Sequence, residues 1–260
     1  MALTRKTPGV YVEEVSTLPP SVAEVSTAIP VFIGYTEKAL QGNTSVLKKS
    51  VRVSTMLEYE NIFGSAATVP FAVEVNTDAN TNISTITSAT PETLKFFMHY
   101  SLRMFFDNGG GSCYIVSVGT YGDDSEEPAT AVKLADIKTG LDIIALEDEP
   151  TLIVCPDAVN LPSSEYNSYA TAALRQCSSL GDRFAIFDVI NASVKELEIR
   201  STVNDAAEFR DNAVGTENLK YGAVYYPNLL TILTYNYKET GVTVNETKGD
   251  ADPESFKLNS

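Results

Sequence analysis

Histidine is nearly missing from this 260-residue chain, where His99 stands alone. Any site that needs two imidazoles is thereby excluded, which removes many zinc and di-iron arrangements. A Ser-His-Asp or Cys-His-Asp triad would have to be built on His99 itself. Basic residues are also scarce, 19 Lys and Arg against 34 Asp and Glu, for a formal net charge of -15. That balance argues against nucleic acid as a partner, because phosphate binding draws on clustered Lys and Arg. Cysteine is limited to Cys113, Cys155 and Cys177, with no C-x-x-C spacing. These are expected as small apolar residues in buried elements rather than as a metal cluster or a redox pair. No stretch approaches the roughly 18 apolar residues of a membrane span. The start, MALTRKTPGVYVEE, lacks the apolar h-region of a signal peptide.

What is present is a pattern of short apolar runs. PVFIGY (30–35), CYIVSV (113–118), TLIVC (151–155), FAIFDV (184–189) and GAVYY (222–226) are nearly continuous and bounded by Gly, Pro or Asp. Such runs suit strands covered on both faces. Between them, Leu94, Phe97, Met98, Ser101, Leu102 and Phe105 place one apolar stripe on a helix. Thr90 is expected as its N-cap, with Pro91 at the first helical position. Asn108-Gly109-Gly110 is expected to be the structural turn that ends it. Further helices are expected near 131–145, 164–180 and 194–212. Strands alternating with helices predict an α/β fold with a mostly parallel sheet and flanking helices. Three segments stand outside the alternation. Residues 1–28 read as an extended arm, in which the β-prone Val10, Tyr11, Val12, Glu13, Glu14 and Val15 have no second strand nearby in sequence. Within an α/β core of 29–235, residues 69–90 read as an inserted β-hairpin turning around Asp78-Ala79-Asn80. Residues 236–260 read as a polar stretch with no further apolar periodic element.

Candidate chemistry is sparse. The glycines of DNGGGS (107–112) follow a helix and precede a strand, the reverse of a phosphate-binding loop, so a tight turn is the expectation. Asp123, Asp124, Glu126, Glu127, Glu147, Asp148 and Glu149 lack the spacing of a calcium loop and read as solvated charge. No G-x-S-x-G nucleophile elbow occurs. Asp157 follows a strand at a position where α/β sheets often hold ligand-binding carboxylates, although Pro156-Asp157 is equally a routine strand exit. These residues supply no enzyme, no catalytic group, no metal site and no cofactor. The remaining enzymatic reading is a small-molecule site built from Asp157 and His99.

The segments without chemistry do carry a resemblance. TPGVYVEEVSTLPPSVAEVSTAIPVFIGYTEKA (7–39) resembles the N-terminus of contractile tail sheath proteins of phages and phage-tail-like injection systems. EYENIFG (58–64) resembles that family's short helix ending in Phe-Gly. LRMFFDNGGGSCYIVSVG (102–119) resembles its helix-to-strand turn. LEDEPTLIVCPD (146–157) resembles its strand ending in Pro-Asp, and KYGAVYYPNL (220–229) its Tyr-Tyr-Pro strand. The resemblance implies a structural subunit of a contractile sheath, stacked in hexameric rings around an inner tube and contracting to drive that tube through a target envelope. It implies copies of itself and sheath paralogues, the inner tube protein, and baseplate and terminator proteins as partners, with no cofactor and no membrane insertion. It implies assembly in the bacterial cytoplasm, and strand exchange by residues 10–15 as an inter-subunit arm. A baseplate-proximal or capping paralogue of the sheath is the alternative within that family. Sheath proteins continue after the Tyr-Tyr-Pro strand into a further region, so 236–260 is expected to be its beginning or a tail.

Overall fold

The computed structural model describes residues 28–122, 128–190, 209–210, 214–226, 228–249 and 251–258. The expected arm strand at 10–15 and nearly all of the helix expected over 194–212 lie outside the described residues.

In chain order the elements are β1 (Pro30–Thr36), β2 (Leu40–Gln41), β3 (Thr44–Ser45), β4 (Ser50–Val53), α1 (Met56–Phe63), β5 (Phe71–Thr77) and β6 (Ser84–Pro91). Then come α2 (Met98–Asp107), β7 (Cys113–Thr120), α3 (Leu134–Ile144), β8 (Leu152–Val154), α4 (Ser163–Leu180), β9 (Phe184–Asp188), β10 (Gly222–Tyr225), β11 (Val242–Lys248) and β12 (Glu254–Lys257). Six strands form the main sheet in the order β10-β9-β8-β1-β7-β4. All of its ladders are parallel except β4 on β7, an antiparallel edge that the sequence reading did not contain. The fold is α/β, with a mostly parallel sheet and flanking helices.

The apolar runs are continuous because both faces of the sheet are covered. Val31, Ile33 and Tyr35 of β1, with Val116 and Val118 of β7, pack with Ile137, Leu141 and Ile144 of α3 and with α4. The alternate residues, Phe32 of β1 with Cys113 and Ile115 of β7, pack with Tyr59 and Phe63 of α1 and with Met98 and Leu102 of α2. Strand periodicity of two thus sorts one run into two cores. Fully burying side chains of this size is worth about 1.5–3 kcal/mol each.

Helix ends follow local chemistry in most places. Thr55 caps α1 by accepting the Glu58 N–H at 3.2 Å, and Glu58 in turn accepts the Ser54 N–H at 2.8 Å. Gly64 closes α1 and Gly181 closes α4, with φ of 84° and 78°. The start of α2 differs from the expectation. Thr90 and Pro91 lie in β6, paired with Ala72 and Phe71, and the helix begins seven residues after Pro91. Phe97 precedes that helix and supplies no side-chain cap. The hairpin of β5 and β6 out-competes the helix for residues 90–91, and the missing cap comes from elsewhere in the chain.

The second sheet has the order β12-β11-β5-β6. Here the structure differs from the expectation of no further apolar periodic element beyond 235, since the polar stretch contains two strands. β11 runs parallel to β5 over seven paired residues, and β12 returns antiparallel beside it. The alternation Val242-Thr243-Val244 puts both valines in buried positions. Asn236 fastens the approach to this sheet. It accepts the Val69 N–H at 2.8 Å through its carbonyl and donates its own N–H to Tyr100 Oη at 3.0 Å, while its side-chain amide donates to the Ala66 carbonyl at 2.6 Å.

Candidate interaction surface

Asp157, the strongest sequence candidate for ligand chemistry, is a fully buried structural acceptor. β8 is three residues long and its ladder with β1 ends at Phe32, so the Tyr35 N–H lies beyond the ladder. The chain leaving β8 turns through Pro156 and brings the Asp157 carboxylate to that N–H, at 2.7 Å from Oδ2. The other oxygen, Oδ1, accepts the N–H groups of Phe97 and Met98 at 2.5 and 3.1 Å. One carboxylate therefore caps α2 and closes the gap beside β1, and the helix N-terminus favours its charge. Burial pushes its pKa up to about 7, against the three N–H bonds that hold it down. Gly34 makes room for it: a Cβ there would stand 2.5 Å from Asp157 Oδ2 and 3.2 Å from Met98 Sδ.

His99 does not join it. Its Nε2 lies 3.2 Å from Glu60 Oε1, and its ring meets those of Tyr59 and Tyr100. Burial lowers its pKa, and the adjoining Glu60 carboxylate opposes that. All three cysteines are free and buried, and burial raises the thiol pKa values to about 12 for Cys113 and Cys155 and about 11 for Cys177. Such thiols stay protonated and inert near neutrality. Asn108 takes the C-cap position of α2, Gly109 adopts φ 85°, and at Gly110 a Cβ would meet the Phe105 ring at 2.6 Å. Among the described residues, no group of three or more His, Cys, Asp or Glu is placed to hold a metal ion. Of the acidic loop residues, 123–127 lie outside the described residues, and Glu149 accepts the Tyr114 hydroxyl at 2.7 Å. No helix among the described residues is long and apolar enough to cross a membrane.

Among the described residues a cavity and a stretch of exposed surface remain. A cavity of about 330 Å³ lies against β9 and β10, walled by Leu174, Phe187 and Val224 with Arg210 beside them. Neither Asp157 nor His99 lines it. From β10 the chain runs outward as a strap. Tyr225 is 62% exposed, Leu229 77%, Leu230 82% and Ile232 100%. Residues 229–235 belong to no helix or strand. Exposed apolar side chains in such a row are the usual sign of an interaction site. The sequence reading missed it, yet a signal was there: 221–237 is the longest run without a charged residue in the chain, seventeen positions.

The sheet edges divide in the same way. Among the described residues β4 and β12 end the two larger sheets on one side each, and both carry charge, Arg52 on β4 and Glu254 with Lys257 on β12. β10 and β6 end the other sides and carry none. Charge on an edge strand deters pairing with another chain, and its absence permits it.

No protein-family model matches the chain, and no curated protein does. Comparison with solved structures finds similarity to a chain in the cryo-EM structure of the anti-feeding prophage baseplate, 6-fold symmetrised. The identity there is 22%, over 86% of this chain and 47% of that one, with a TM-score of 0.40. A chain in the cryo-EM structure of the anti-feeding prophage helical sheath in its contracted state is similar at 23% identity, over 87% of this chain and 46% of that one, with a TM-score of 0.41. The chain spans about half the length of the solved chains it matches.

Proposed function

We propose that this chain is a structural subunit of a contractile sheath, assembling with copies of itself in stacked hexameric rings around an inner tube. The tube, baseplate and terminator proteins are its further partners, and contraction of the stack drives the tube through a target envelope. One observation carries the reading: five sequence landmarks resembling sheath proteins stand in the family's order between residues 7 and 229. Those within the described residues occupy turns and core positions. Phe63-Gly64 ends α1, Asn108 to Gly110 links α2 to β7, and Asp157 ties β1 to α2. Residues spent in this way maintain a body that others can bind, which suits an assembly subunit better than an enzyme. In this reading residues 10–15 are the inter-subunit arm, adding a strand to a neighbour while the rigid α/β bodies rotate against each other.

Negative-stain electron microscopy of the purified, concentrated chain tests the proposal. Striated cylinders are the expected product, from this chain alone or with inner tube and baseplate proteins added. Monomers under both conditions would defeat it.

A further inference from the structure

The exposed strap and the uncharged edge of β6 are separate features of one chain, and their chemistry matches. Residues 229–235, Leu-Leu-Thr-Ile-Leu-Thr-Tyr, are rich in residues that favour strands. In extended form they would place Leu230 and Ile232 on one side. β6 is exposed along its length except at Pro91, with Ile86 67% exposed and Ile83 just before it 64% exposed. Residues 79–91 hold no charge. Among the described residues β6 pairs on one side only, with β5. We infer that the strap of one copy adds as a fifth strand to the β6 edge of a second copy, head to tail.

Charge selects the elements through which two copies can approach. Two molecules of formal charge -15 repel over most of their surfaces. Close approach is cheapest where neither side is charged, and the strap and β6 are exposed stretches that meet that condition. The charged edges β4 and β12 do not. Within its own copy the strap is fixed at both ends, by β10 in the main sheet and by Asn236 against Ala66 and Val69. Its middle therefore faces away from the body that carries it. Because the two surfaces differ, the contact is heterologous and repeats from copy to copy, generating a ring or a helical stack. The identity of the partner as a second copy rests on the sheath reading; the match of the two edges does not. A single added strand covers less than the roughly 1,200 Å² of a stable interface, so each contact is weak alone and gains strength from repetition.

Ile232→Lys charges the strap and Ile86→Lys charges the edge, both at exposed positions that leave the cores untouched. Sedimentation velocity should show self-association of the unaltered chain and monomers for either variant alone. An equimolar mixture should give dimers and nothing larger, since only one intact strap meets one intact edge. A labelled peptide of residues 228–238 should bind the Ile232→Lys protein at least tenfold more tightly than the Ile86→Lys protein. Equal binding, or binding to neither, overturns the contact. So does assembly of both variants at the unaltered level. Cylinders formed equally by both variants would leave the sheath reading standing and remove this contact. Edge-specific peptide binding without cylinders under any condition would do the reverse.

Discussion

Replacing Asp157 separates a structural carboxylate from a functional one. In Asp157→Ala the N–H groups of Tyr35, Phe97 and Met98 lose their acceptor at sites that are buried or partly buried. A stranded buried donor costs about 1–3 kcal/mol. Against the sum stands the relief of no longer burying a carboxylate, so a net loss of about 3–5 kcal/mol is expected, the range for breaking a buried charged pair. Asp157→Asn keeps an oxygen for Phe97 and Met98 but turns an amide N–H₂ toward the Tyr35 N–H, a loss of about 1–3 kcal/mol. Urea unfolding followed by circular dichroism measures both. With a slope near 2 kcal/mol per molar, the alanine midpoint should fall by about 2 M. A pH series adds a second check. Burial raises the folded pKa to about 7 from an ordinary 3.8, so the folded state holds this proton more tightly than the unfolded chain does. The stability contributed by that proton is fully present below about 3.8 and is lost as pH rises through 7. The penalty of Asp157→Asn should therefore be larger at pH 5 than at pH 8. A variant more stable than the unaltered chain would refute the reasoning, because that is what removing a strained functional carboxylate produces.

Gly34→Ala should destabilise by about 1–3 kcal/mol through overpacking, since its Cβ would press on Asp157 Oδ2; an unchanged urea midpoint would show that the carboxylate can move aside. Deleting residues 1–14 should leave the core's cooperative unfolding intact and abolish lattice formation; unchanged polymers on the grid would remove the arm from the assembly. His99 has a folded pKa lowered chiefly by burial, with Glu60 and Glu37 opposing and Arg103 assisting. Its contribution to stability is present above the ordinary 6.5 and lost as pH falls. His99→Gln should accordingly flatten the decline in stability between pH 7 and 5, and an identical decline in both proteins would exclude His99 as its source.

The parallel core was legible because its signal is local. A run such as PVFIGY announces a strand covered on both faces without reference to its neighbours, and α4 keeps its buried stripe, Tyr166, Tyr169, Ala170, Ala173, Leu174 and Cys177, at helical spacing. The failures have one common cause, which is partners distant in sequence. Thr90-Pro91 is a sound helix start on local rules, but Ala72 and Phe71 take those residues into a ladder. The acceptor that caps α2 lies about sixty residues further on. β11 was overlooked because Val242 and Val244 are only two apolar positions among polar ones. Their burial depends on β5, whose Thr77 hydroxyl meets Glu246 across 169 positions of chain.

The same reasoning explains why motif reading located no site. Each residue that stood out, Asp157, His99, the glycines and the cysteines, did so for its reactivity or its backbone freedom, and the fold spends each one internally. Interaction surfaces are marked in the opposite way, by the omission of something that a free surface would carry. A chain with 20% charged residues that leaves seventeen consecutive positions uncharged, and then exposes the middle of them, forgoes the usual protection against pairing. In a monomeric enzyme that omission would be a hazard, because exposed β-prone apolar segments seed aggregation. In an assembly subunit the segment is covered whenever the protein is at work. The omission is therefore evidence of function only if the covered state exists, and coating the strap with charge should then cost assembly while sparing stability.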